Sequence, residues 1–140
     1  MTAESRRTPL HEWHVAHGGR MVPFGGWSMP VQYPSGILAE HRAVRAAAGL
    51  FDISHMGRVE VRGPDALELL QRTTSNDVAA LVPMRAQYSL LCNEQGGVLD
   101  DLIIYRLEDH YLVVVNASNR ERDLAWWREQ QANLGLAARE

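Results

Sequence analysis

The spacing of hydrophobic positions changes character several times along the chain. Leu10, Trp13, His14 and His17 stand at helical spacing after Thr8 as N-cap and Pro9 as first helical position, and Gly18-Gly19 end the pattern. Met21 to Pro34 is crowded with glycine, proline and aromatic residues, which predicts a fixed irregular loop with one short strand. Ser35 then caps a second predicted helix carrying Ile37, Leu38, His41 and Val44 on one side and stopping at Gly49.

From Phe51 onward the pattern becomes that of a mixed unit. Arg58 to Arg62 alternates as a strand, and Gly63-Pro64 opens a helix bearing Leu67 and Leu70. Gln87 to Asn93, Val98 to Leu107 and Tyr111 to Asn116 are three further strand-like runs, and the short connections between them predict an antiparallel meander. Ser118 with Glu121 forms a capping-box pattern, so a last helix is expected through Leu124 and Trp127 toward Asn133 and Gly135. The fold class that follows is α+β, an antiparallel sheet with helices packed on one face. No further strand follows the last helix to cover the sheet edge, so the expected fold is an incomplete one. The expected division is residues 1–50, a helical and loop part, and 51–140, the strand-helix-meander-helix unit.

Composition narrows the function classes. The chain has 140 residues, 46% of them hydrophobic and 22% charged, which describes an ordinary globular protein. A formal net charge of -3 with scattered arginines provides no basic field for a nucleic acid. All 14 basic residues are arginine, so neither a Schiff-base lysine nor a phosphate-loop lysine is present. The single cysteine, Cys92, excludes an internal disulfide and reads as a small core residue. The polar start of the chain and the short apolar runs give no membrane span, and a cytoplasmic location is expected.

Candidate chemistry concentrates in Gly96 to Asp101. Both alternating faces of Val98 to Leu107 are mostly apolar, which predicts a strand buried on both sides, yet Asp100 and Asp101 stand side by side and must point to opposite faces. A buried ionised carboxylate costs several kcal/mol unless donors or a ligand satisfy it. Either the aspartates bond the backbone N–H groups of the Gly96-Gly97 turn, or one of them faces a ligand. His11, His14 and His17 have helical spacing compatible with a metal, but no acidic or cysteine partner stands at ligand spacing, and packing is the expected role for them as for His41 and His55. No metal site is expected. Trp127 with Leu124 is expected to face the sheet.

Thr8-Pro9-Leu10, Trp27, Glu40 to Arg45, Gly49 to Met56, Ser75 to Val78, Gly96 to Tyr105 and Val113 to Ala117 occur in an order and spacing that resembles the aminomethyltransferase of the glycine cleavage system, the T-protein family. The resemblance runs from about Thr8 to at least Leu124. It implies tetrahydrofolate as cofactor and a lipoylated carrier protein as partner, with the methylene carbon of the carrier's aminomethyl group passing to tetrahydrofolate as ammonia leaves. It implies that Asp100 is the catalytic, folate-facing carboxylate, with Asp101 its structural neighbour. Tyr88, Asn116 and Met56 match the family's pocket lining. Residues 1–50 would belong to a discontinuous folate-binding domain completed by later chain, and the 140-residue chain alone would be doubtful as an active enzyme. Two related alternatives carry the same motif: a non-catalytic folate-binding module of the iron-sulfur assembly type, and the folate domain of a dimethylglycine- or sarcosine-oxidising enzyme.

Overall fold

The computed structural model describes residues 5–139 and divides the chain into two compact units, residues 1–55 and 56–140. In the first, β1 (Arg6–Arg7) runs parallel to β3 (Trp27–Pro30), which pairs antiparallel with β2 (Met21–Phe24). The segment expected as an irregular loop is thus a hairpin. Its turn is Gly25-Gly26, with φ of 55° and 81°, and two successive positive-φ residues are what a tight two-residue hairpin needs. Helix α1 (His11–Ala16) begins after Leu10, and α2 (Ile37–Ala46) after Gly36, so neither Thr8 nor Ser35 acts as a side-chain cap. Thr8, His11, His14 and Met29 are buried, whereas α2 buries none of its residues.

A polar bridge ties the ends of this unit together. His14 Nδ1 lies 2.6 Å from the Tyr33 hydroxyl, and its Nε2 lies 2.9 Å from Asp52 Oδ2. The Ser54 backbone N–H donates to Asp52 Oδ1 over 2.9 Å. Burial by itself would raise the Asp52 carboxyl, but the bonds from Ser54 and His14 outweigh it and hold the group well below the usual carboxylate range.

The second unit is built from β4 (Gly57–Val61), α3 (Ala66–Thr73), β5 (Arg85–Cys92), β6 (Val98–Arg106), β7 (Tyr111–Val115) and α4 (Arg120–Leu134). The strands form an antiparallel sheet in the order β4-β7-β6-β5. Helices α3 and α4 cover one face, where Leu69, Leu70, Leu124 and Trp127 pack with Val61, Leu91, Leu102, Ile104, Val113 and Val115. The fold is therefore α+β with the helices on one side, as the sequence pattern predicts.

Local chemistry explains how the helices seat. Trp127 is fully buried, and its indole N–H donates to Thr73 Oγ1 over 3.1 Å while that hydroxyl donates to the Leu69 carbonyl over 2.8 Å. Helix α4 starts from Asn119, one residue later than the Ser118 of the capping-box pattern, and has no side-chain cap; it ends at Gly135 in the left-handed region, φ 63°. At the entry to α3, Gly63 has φ +105°, and a Cβ there would meet the Ala137 carbonyl oxygen at 2.5 Å.

Two details of β6 matter for the site. Its burial alternates along the strand, with Asp100, Leu102 and Ile104 buried against the helices and Asp101, Ile103 and Tyr105 exposed on the other face. The expectation of a strand buried on both sides is corrected accordingly: Ile103 and Tyr105 are apolar, but no element of this unit covers them. In addition, Leu91 pairs with Asp100 but Cys92 pairs with Val98, so β6 carries one extra residue, Leu99, as a bulge.

Candidate functional site

The polar cluster grows from the turn between β7 and α4. Asn116 follows β7, and the Asn119 N–H bonds back to the Asn116 carbonyl over 3.1 Å, which aims both amides at the neighbouring strand β6. Asn119 Nδ2 donates to Asp100 Oδ1 over 2.8 Å, so the side chain that could cap α4 serves the carboxylate instead. Asn116 contributes its backbone N–H to Asp100 Oδ2 at 3.3 Å and its amide Nδ2 to Asp100 Oδ1 at 2.9 Å. The same Nδ2 lies 2.9 Å from Asp101 Oδ1 and 3.2 Å from the Asp101 carbonyl oxygen. One amide therefore holds both aspartates.

Asp100 is only 6% exposed. Burial would raise its carboxyl, but the bonds from Asn116 and Asn119 outweigh it and hold Asp100 below the ordinary value. Asp101 is on the open face with Tyr88, whose hydroxyl donates to Asp101 Oδ2 over 3.2 Å. Tyr88 is 59% exposed; partial desolvation first, then the bond to Asp101 and the charges of both aspartates, raise its phenol above the ordinary value.

Of the residues singled out in the sequence, four are brought together. Tyr88, Asn116 and the aspartates form one bonded cluster. Met56 immediately precedes Gly57, which pairs with Val115, so it stands at the same end of the sheet as Asn116. Asp100, the folate-facing carboxylate that the resemblance implies, points toward α4 with its donors in place, and Asp101, its expected structural neighbour, points to the open face. Cys92 is half-buried, its Sγ 3.6 Å from the Leu90 carbonyl. In and just after α1, His14 is taken by Tyr33 and Asp52, and His17 Nδ1 bonds the Trp13 carbonyl over 2.8 Å.

Asn119 and Asp123 were not expected in the cluster. Asp123 is fully buried, and its carboxyl is pushed up to about 7, first by burial and then by the adjoining Asp100. The signal for it is the face of α4: Asp123, Trp127 and Gln130 stand at helical spacing, and all three are buried.

Fold and cluster together define an α+β unit whose open sheet face gathers a carboxylate, a phenol and an amide beside the apolar Ile103 and Tyr105. The family model described as the GCVT N-terminal domain matches residues 10–139, and the chain belongs to that family. It is 56% identical over 137 residues to the aminomethyltransferase of Symbiobacterium thermophilum, a match covering 97% of this chain and 36% of that protein. It is also 56% identical over 128 residues to the aminomethyltransferase of Bacillus subtilis, covering 91% of this chain and 35% of the relative. The crystal structure of the glycine cleavage system aminomethyltransferase T from Bartonella henselae superposes with a TM-score of 0.89 at 42% identity, over 97% of this chain and 37% of that one. The chain thus spans roughly a third of the length of the relatives it matches. Among the described residues no helix is long and apolar enough to cross a membrane.

Proposed function

We propose that this chain forms the N-terminal part of a tetrahydrofolate-dependent aminomethyltransferase of the glycine cleavage system, acting on the aminomethyl group carried by a lipoylated protein and releasing ammonia, in the cytoplasm. The observation that carries this reading is the convergence of Tyr88, Asp101 and Asn116 on one open face beside apolar side chains. An aromatic and aliphatic wall with a few fixed polar groups suits a flat, donor-rich pterin.

Tetrahydrofolate supplies the nitrogen that accepts the methylene carbon. Asp101 is the carboxylate that faces this ligand, in place of the buried Asp100, because only Asp101 has an open approach. Its task is to orient the nitrogen and to hold a proton as the amine departs. Asn116 donates both amide hydrogens to the aspartates and keeps its amide oxygen to accept from the pterin. Tyr88, with Met56 farther along the same sheet end, lines the ring. Asp100 and Asn119 fix Asn116 from behind. The first unit leaves Leu38, Leu50 and Phe51 exposed, in keeping with a discontinuous domain completed by further chain.

Isothermal titration of this chain with tetrahydrofolate is the direct test. Micromolar binding that Asp101→Asn weakens supports the reading; the absence of binding at millimolar ligand overturns it for this chain.

A further inference from the structure

The folate-facing residues do not account for Asp123. It has zero exposure, and neither of its carboxylate oxygens has a hydrogen-bond donor among the described residues. Arg122 Nε stands 3.6 Å from Asp123 Oδ1, beyond hydrogen-bonding distance, and its guanidinium donates instead to the Leu99 carbonyl. Helix α3, packed against α4, turns Glu68 and Arg72 to the exposed surface, where they pair with each other. The charged groups acting on Asp123 are therefore Asp100 from β6 and Arg122 from α4 itself.

A fully buried carboxylate without donors is too unfavourable to persist as an anion next to a second one, so the group keeps its proton. A buried O–H in turn needs an acceptor. Asp100 is the one beside it: Asn119, whose amide donates to Asp100 over 2.8 Å, stands one turn before Asp123 at the start of α4 and accepts the Asp123 backbone N–H over 2.9 Å.

We propose that Asp123 is a positioning residue: as a buried carboxylic acid it donates its O–H to Asp100, and the proton-sharing pair fixes the Asn116 amide that reaches across the strand to Asp101. The pair carries a single negative charge. That charge makes Asp100 a strong acceptor for Asn116 and Asn119, and so sets the direction of the amide that also grips Asp101. Loss of the shared proton places two like charges side by side and loosens Asn116. The proposal rests on the reading of the open face as a folate site; the pairing itself does not.

The test uses protein carrying 13C-labelled aspartate carboxyls, titrated from pH 4 to 9 by NMR, beside tetrahydrofolate affinity over the same range. The Asp123 and Asp100 carbons are expected to move together through one step in the neutral range. Asp123→Asn, which keeps a donor but no titrating proton, is expected to abolish that step and leave Asp100 ionised. Wild-type affinity should weaken as the pH passes through the step, while Asp123→Asn binds equally well on both sides of it. Asp123→Leu, lacking the donor, should bind about tenfold more weakly throughout. An Asp123 carboxyl already ionised at pH 5, or an Asp123→Asn profile with the wild-type slope, overturns the proposal. If the variants do not fold, the wild-type titration decides alone. No tetrahydrofolate binding at any pH, with the coupled step intact, overturns the folate reading and leaves the pair standing.

Discussion

The Tyr88 hydroxyl donates to Asp101 Oδ2 across 3.2 Å, from β5 to β6, on the face of the sheet that no helix of this unit covers. Because Asp101 is exposed and its neighbours are fixed, Asp101→Asn should remove the acid while leaving the fold intact. In a complete enzyme assayed with an aminomethylated lipoyl carrier, methylene transfer is expected to fall by roughly a hundredfold to ten-thousandfold. The melting temperature should stay within about 2 °C of wild type. Near-normal turnover would remove Asp101 from the chemistry.

Tyr88→Phe keeps the aromatic wall and deletes one hydrogen bond to a carboxylate. Tetrahydrofolate affinity is expected to drop by about tenfold or less. Calorimetric titration of the two proteins side by side measures the difference, and a loss of all binding would mean that the phenol does more than orient Asp101.

The raised carboxyl of Asp123 makes a prediction about stability. Its folded value of about 7 lies above the ordinary 3.8, so between these values the folded state binds a proton that the unfolded state does not. Stability from this group is present below about 4, falls as pH rises toward 7, and is gone above it. Asp123→Asn should flatten that fall, and melting curves at half-unit pH steps should show the variant gaining on wild type from pH 4 to 7. Asp100, held below the ordinary value, works in the opposite sense: its contribution is present above 3.8 and is lost in acid.

In the first unit, His14 and Asp52 are 2.9 Å apart with side chains 4% and 2% exposed. Replacing His14 by Ala strands a buried carboxylate and is expected to cost about 3 kcal/mol. Urea unfolding followed by the indole N–H NMR signals of Trp13 and Trp27, separate from those of Trp126 and Trp127, reports on this unit. An unchanged midpoint would show the bridge to be dispensable.

Trp127→Ala removes a fully buried indole and leaves the Thr73 hydroxyl without its donor. A loss of about 4 kcal/mol is expected, read from chemical denaturation.

These residues also show why some of the molecule was legible in the sequence and some was not. The four strands of the second unit and its two helices follow from period-two and helical spacing, and Trp127 faces the sheet as its pairing with Leu124 predicts. The hairpin at Met21 to Pro30 was hidden because its glycines and prolines suggest loop, although Gly25-Gly26 is itself a hairpin signature. The two aspartates were known to oppose each other, but hydrophobicity could not say which side was open, because Ile103 and Tyr105 are apolar on an exposed face. Asn119 was hidden behind Ser118, a better capping residue by type. Asp123 resembled an ordinary acid in the first turn of a helix, and its burial follows only from where Asp100 meets α4.

The register of β6 against β5 assigns identity to two otherwise identical residues. Asp100 and Asp101 have the same side chain, and a slip of one position along β5 would trade their environments, giving the dry side to one and the wet side to the other. Deleting Leu99 would close the bulge and still leave Leu91 opposite Asp100, so each acid owes its surroundings to the run that follows it, where Leu102 and Ile104 are committed to the core and carry Asp100 inward with them.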